Sequence, residues 1–172
     1  MKRVSNRFIF LLTYILLAGV SINVSGQTNA GDPALKEKQH QFDFWLGEWD
    51  VYKYGTDKLV GKSHIMSIND STGILENYHT PNGPYKGKSL NTYNIKTGFW
   101  EQYWIDNGGL VLKLGGEFRE GKMIMLSYEG LSANKISWQK VDKGVRQTWE
   151  TSKDGGKNWN VVFDGLYIRV ES

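Results

Sequence analysis

Four stretches of the chain alternate polar groups with aromatic rings. Successive side chains of a strand point to opposite sides. Residues 99–106 therefore put Trp100, Gln102, Trp104 and Asp106 on one face, and Phe99, Glu101, Tyr103 and Ile105 on the other. In the same way 145–152 pairs Gln147 with Trp149, 87–96 groups Ser89, Asn91, Tyr93 and Ile95, and 73–79 groups Ile74, Glu76 and Tyr78. Turned toward one interior, these faces offer ring walls, sparse amides and one carboxylate, which is the character of a ligand pocket. The expected site is Glu76, Asn91, Tyr93, Gln102, Trp104, Gln147 and Trp149. Glu76 carries the sharpest chemistry, because a carboxylate taken out of water is costly unless paired or protonated. A register slip of one residue would make it an ordinary solvated glutamate. The same faces also suit a plain packed core, with Gln102 and Gln147 serving Trp and Tyr donors.

Other chemistry is sparse. His64 and His79 fall on adjacent strand segments near Glu76. A two-His-one-carboxylate site is the chemistry to weigh there. His79 and Glu76 have opposite parity, so they face opposite sides and no metal is expected. His40 precedes the strands and is read as solvent-facing. The chain has no Cys, which removes disulfides, thiolate metal sites and a cysteine nucleophile. It also has no Gly-x-Ser-x-Gly, His-Glu-x-x-His, phosphate loop or EF-hand.

The elements that must position these residues are strands. The pattern predicts them over 48–54, 58–69, 73–79, 87–96, 99–106, 110–119, 122–129, 134–142, 145–152 and 158–170. Turn chemistry separates them, including Asn69-Asp70, Thr97-Gly98, Asn107-Gly108-Gly109, Glu120-Gly121 and Lys143-Gly144. About ten consecutive hairpin-linked strands make an all-β fold, a single up-and-down antiparallel β-barrel whose closure removes exposed edges. Gly115-Gly116 inside a strand predicts a bulge or a tight bend. Residues 39–46 predict a short helical turn plugging one end.

The ends suggest export. Lys2, Arg3 and Arg7 precede an apolar run from Phe8 to Val20, and Val24-Ser25-Gly26 offers small residues for cleavage. Residues 1–26 are therefore expected to be a signal peptide, 27–38 a flexible leader and 39–172 the barrel. The expected localisation is periplasmic or extracellular, with no stable membrane anchor after cleavage. The chain holds 21 basic and 18 acidic residues. The three basic residues of the signal have no acidic counterpart there, so the remainder is charge-balanced and gives no basic field for nucleic acid. Seven Trp, nine Tyr and seven Phe supply bulky material for a core without disulfides.

Phe42-Asp43-Phe44-Trp45-Leu46-Gly47-Glu48-Trp49-Asp50-Val51 resembles the signature of a family of uncharacterised secreted bacterial proteins in the calycin, or lipocalin-like, group. The barrel is more distantly similar to nitrobindin and fatty-acid-binding proteins. Gly47-Glu48-Trp49 matches the Gly-x-Trp that opens the first strand of lipocalin-type barrels, and Phe163 to Arg169 matches the end of the family pattern. The resemblance implies that Arg169 stacks over Trp49 and closes the barrel floor, with anion binding in the cavity as the other role for Arg169. Nitrobindin-like barrels hold haem through a His near the C-terminal end. No His follows His79 here, so no cofactor is expected. Ser152-x-Asp154-x-Gly156-x-x-Trp159 resembles the Asp-box of sialidase-like propellers, which implies a hairpin staple.

Three functions fit these residues. The first is a secreted barrel binding a small apolar or amphipathic molecule. The second is a cofactor-free calycin-type enzyme with Glu76 as acid or base and Asn91, Tyr93 and Gln102 positioning the substrate. The third is a filled barrel with a structural or interaction role.

Overall fold

The computed structural model describes residues 31–171. The expected signal peptide lies outside them, as does the first part of the expected leader. Ten strands run in chain order: β1 (Gly47–Lys53), β2 (Leu59–Ile68), β3 (Gly73–His79), β4 (Lys86–Asn94), β5 (Phe99–Asp106), β6 (Val111–Arg119), β7 (Lys122–Glu129), β8 (Ser132–Val141), β9 (Gly144–Ser152) and β10 (Asn160–Arg169). Each pairs antiparallel with its neighbours in sequence, and β1 pairs with β10, so the barrel is closed and has no edge. Glu120 and Gly121 both take positive φ, 52° and 74°. This is the geometry of a two-residue turn whose twist matches a hairpin.

Helix α1 (Pro33–Gln39) starts on an Asp32 cap, whose Oδ1 accepts from Ala34 N at 2.9 Å, with Pro33 in its first turn. It lies in the stretch read from sequence as leader, and it buries no residue. The plug itself is a 3-10 turn, Asp43–Trp45. Phe42 and Trp45 are fully buried and stacked with ring centroids 4.9 Å apart. They meet Trp138 at 5.1 and 5.4 Å, and Phe42 meets Trp100 at 5.7 Å. This half of the barrel is solid, completed by Met123, Met125, Val51 and Val145. The indole N–H groups of Trp45, Trp100 and Trp138 have no partner among the described residues. Packing of the large rings prevails here over satisfying their donors.

Arg169 closes the same end. Its guanidinium lies 4.5 Å from the Trp49 ring centroid and donates to Leu46 O at 2.9 Å. Gly47 has φ 138°, and a Cβ there would stand 2.3 Å from Arg169 Nη1. The glycine of Gly-x-Trp is required by the arginine that covers the tryptophan.

The register through Gly115 and Gly116 is continuous on both sides, so of the two expected features, a bulge or a tight bend, the bulge is absent. Gly116 instead permits close approach: a Cβ would lie 1.8 Å from Ile124 O. The register shifts fall at Val51/Tyr52 and Val161/Phe163.

Candidate functional site

Opposite the plug the barrel is hollow. A cavity of about 180 Å³ opens toward the end bearing the β1–β2, β3–β4, β5–β6, β7–β8 and β9–β10 hairpins. Glu76, Gln102 and Gln147 line it with the rings of Trp104 and Trp149. Tyr78, Tyr85, Phe163 and Tyr167 add further ring wall, and Leu112, Ile136 and Val162 complete it. Five of the seven expected site residues thus converge on one space.

The other two do not border it. Asn91 is fully buried behind Gln102, and Tyr93 packs against Trp100 at 6.2 Å, toward the plugged end. Both point inward as their parity requires, but parity assigns a face and not a depth along the barrel axis. Ile95, grouped with them by parity, lies beyond the end of β4 and is exposed.

Glu76 is buried on β3 between β2 and β4. Ser63 Oγ donates to its Oε1 at 2.9 Å, and Ser89 Oγ donates to Oε2 at 3.1 Å. Asn91 Nδ2 donates to Ser89 Oγ at 3.0 Å and to the Ile74 carbonyl at 3.2 Å. A backbone carbonyl can only accept, so Asn91 has its amide nitrogen on that side and its oxygen toward Gln102. Gln102 Nε2 accordingly donates to Asn91 Oδ1 at 2.7 Å. The chain of donors is thereby oriented, and it ends on a carboxylate that only accepts.

Burial pushes the Glu76 carboxyl up to about 7, against the opposing effect of the Ser63 and Ser89 hydroxyls that donate to it. Tyr78 is pushed up to about 12 by burial and then by the Glu76 charge. Tyr167 is raised well above its ordinary value for the same two reasons, in the same order. The Tyr167 proton goes to Gln147 Oε1. Tyr167 also packs on Trp45 and Trp49, at 6.1 and 6.4 Å, so it forms the partition between solid and hollow halves.

Glycines seat the walls. A Cβ on Gly61 would meet Tyr78 Oη at 2.3 Å, and one on Gly87 would meet Trp104 Cζ2 at 2.3 Å. Each ring lies across a neighbouring strand where only glycine leaves room.

Ser63, Tyr85, Phe163 and Tyr167 also belong to the site, though alternation in the sequence does not single them out. Tyr167 had a usable signal, since it shares its face with Arg169 two residues on. Ser63 had little, because the inward positions of β2 include Gly61 and Ser63, which give no apolar stripe.

The histidines stand apart from the cavity. His64 and His79 are exposed outside, and His64 Nε2 lies 4.0 Å from Glu48. His40 is half-buried and bonded to Asp43 Oδ2 through Nδ1 at 2.6 Å, which modifies the solvent-facing reading. Among the described residues no cluster of three or more His, Asp or Glu side chains is arranged to hold a metal.

The Ser152–Trp159 motif folds as a staple in the β9–β10 hairpin. Asp154 Oδ1 accepts from Ser152 Oγ, Lys157 N and Asn158 N at 2.7, 3.0 and 2.9 Å. Gly156 N donates to Ser152 Oγ at 2.9 Å. These bonds, first those from Asn158, hold the Asp154 carboxyl down to about 2.

No family model and no curated protein matches the chain.

Proposed function

We propose that this chain is an exported, lipocalin-like binding module that takes a small apolar or amphipathic molecule into the open half of its barrel. The observation that carries the reading is Glu76. A buried carboxyl bordering an open cavity is expensive to maintain, and a barrel selected only for stability gains more by filling that space, as its other half does. The ring walls and the few oriented polar groups have the composition of a small-molecule site. At about 180 Å³ the space is smaller than the roughly 300–1,000 Å³ typical of drug-sized ligands. It suits a compact molecule better than a long acyl chain. The Phe42–Val51 signature and the Arg169–Trp49 floor support kinship with calycin-type proteins.

A naphthalene-based apolar probe should bind this cavity and quench Trp emission. Gln102→Leu should change its affinity in a protein that still folds, at some cost in thermal midpoint because the buried Asn91 Oδ1 loses its donor. Absence of saturable quenching in the folded protein would return the reading to a filled or structural barrel.

A second reading is favoured by one observation. The Glu76 carboxyl, raised to about 7, lies where a general acid or base works best at neutral pH. Turnover of a bound ligand, lost in Glu76→Gln with binding retained, would move the protein from binding module to cofactor-free enzyme.

A further inference from the structure

The cavity carries an unbalanced charge. Among the described residues its lining includes Glu76 and no Lys, Arg or His. The titratable groups facing Glu76 are tyrosines: Tyr78 from its own strand, Tyr85 from the β3–β4 hairpin and Tyr167 from β10. From β2 and β4 it meets only the Ser63 and Ser89 hydroxyls. His64 and His79, the nearest histidines in sequence, project from the outer surface.

We propose that the cavity selects a small organic ammonium, with the cation held between the Glu76 carboxylate and the rings of Tyr78, Trp104 and Trp149 and its apolar remainder directed toward Phe163 and Val162 at the mouth. This rests on the binding reading above and names the class of ligand.

Three features carry it. First, the donor chain from Asn91 through Ser89 is fixed in direction by the Ile74 carbonyl, so Glu76 is presented as an acceptor. A ligand that brings donors and positive charge completes it, and one that brings a carboxylate meets a like charge. Second, Gln102 Nε2 spends one of its two N–H groups on Asn91, which fixes the amide's orientation and leaves its carbonyl oxygen as a second acceptor on the cavity lining beside the remaining N–H. Third, polar tips of the walls are engaged elsewhere: Tyr78 Oη donates to Val60 O at 3.1 Å, Tyr85 Oη to Asp106 Oδ2 at 3.0 Å and Trp149 Nε1 to Asn134 Oδ1 at 2.9 Å. These residues present ring surface to the ligand, and ring faces attract cations.

The test compares three probes of nearly equal size by calorimetric titration of the folded chain: 2-phenylethylammonium, 2-phenylethanol and phenylacetate. At pH 8 the ammonium should bind about tenfold more tightly than the alcohol, with phenylacetate the weakest. An alkylammonium keeps its proton throughout this range, whereas Glu76 takes one up as pH falls through about 7. The ammonium advantage should therefore shrink toward pH 5.5 while the alcohol affinity stays flat. Glu76→Gln should abolish the advantage and spare the alcohol. If that variant does not fold, the pH profile of the unmodified protein decides. Equal binding of ammonium and alcohol at pH 8, or a preference for the alcohol or phenylacetate, overturns the ammonium proposal and leaves the binding reading standing. Failure of all three probes together with the naphthalene probe overturns both.

Discussion

The Arg169 guanidinium covers the Trp49 ring at 4.5 Å and fills the space that any side chain at position 47 would need. The last strand thus holds the first through one cation–π contact, one hydrogen bond to Leu46 O and the β1–β10 ladder. Trp49→Ala removes a buried ring and should destabilise by roughly 3–5 kcal/mol. Arg169→Ala should cost less, on the order of 0.5–2 kcal/mol, and a double-mutant cycle should show coupling between the two. Strict additivity in urea unfolding would mean that the contact contributes nothing of its own.

Glu76 gives stability a pH dependence of known sign. Its carboxyl has an ordinary value of 4.5 and titrates at about 7 in the folded chain. Between those values the folded state binds the extra proton, so the contribution of this group is most favourable below about 4.5 and is lost as pH rises through about 7. The loss attributable to this group is on the order of 3 kcal/mol. In Glu76→Gln that component should vanish, leaving a flatter profile and a protein no less stable than the parent at pH 8. A parent-like slope in the variant would assign the pH dependence to other groups.

The cavity walls depend on absent side chains as much as on present ones. Gly87→Val would drive atoms into Trp104 and toward Ile105 O, which a Cβ already meets at 2.8 Å. Overpacking of this kind costs roughly 1–3 kcal/mol. The displaced indole should narrow the cavity and weaken probe binding more than Leu90→Ala on the exposed face of the same strand. Equal effects of the two variants on probe affinity would contradict the seating of Trp104 over Gly87.

Asp154 should act locally. Asp154→Ala leaves Lys157 N, Asn158 N and the Asn158 amide without their acceptor. Hydrogen exchange should accelerate across residues 152–158 with the thermal midpoint nearly unchanged. Loss of protection throughout β9 and β10 would show that the staple supports the barrel and not only its hairpin.

Much of this arrangement is legible in the sequence because the barrel is a simple up-and-down meander. Period-two alternation assigns Glu76, Gln102, Trp104, Gln147 and Trp149 to the interior, and the turn residues bound their strands closely. What alternation cannot supply is depth. Tyr93 shares a face with Ser89 and Asn91 but sits against Trp100 near the plug, and only the pairing register between strands reveals it. Nor does alternation reveal partners across strands. Ser63 meets Glu76 because β2 pairs with β3 so that Ile65 lies opposite Glu76 and Ser63 opposite Tyr78, a relation with no trace in either segment alone. Gly115-Gly116 marks a special backbone site, but its cause is the crowding of Gly116 against Ile124 across the ladder, not an inserted residue.

The most direct test of a barrel half solid and half open is an NMR titration of the indole N–H signals with 2-phenylethanol, which carries no charge. Trp104 and Trp149 line the cavity, while Trp45, Trp100 and Trp138 lie in the packed half. Saturable shifts should appear at Trp104 and Trp149, with the other three nearly still. No saturable shift at Trp104 and Trp149, or larger shifts at Trp45, Trp100 and Trp138, would contradict ligand binding in the open half of the barrel.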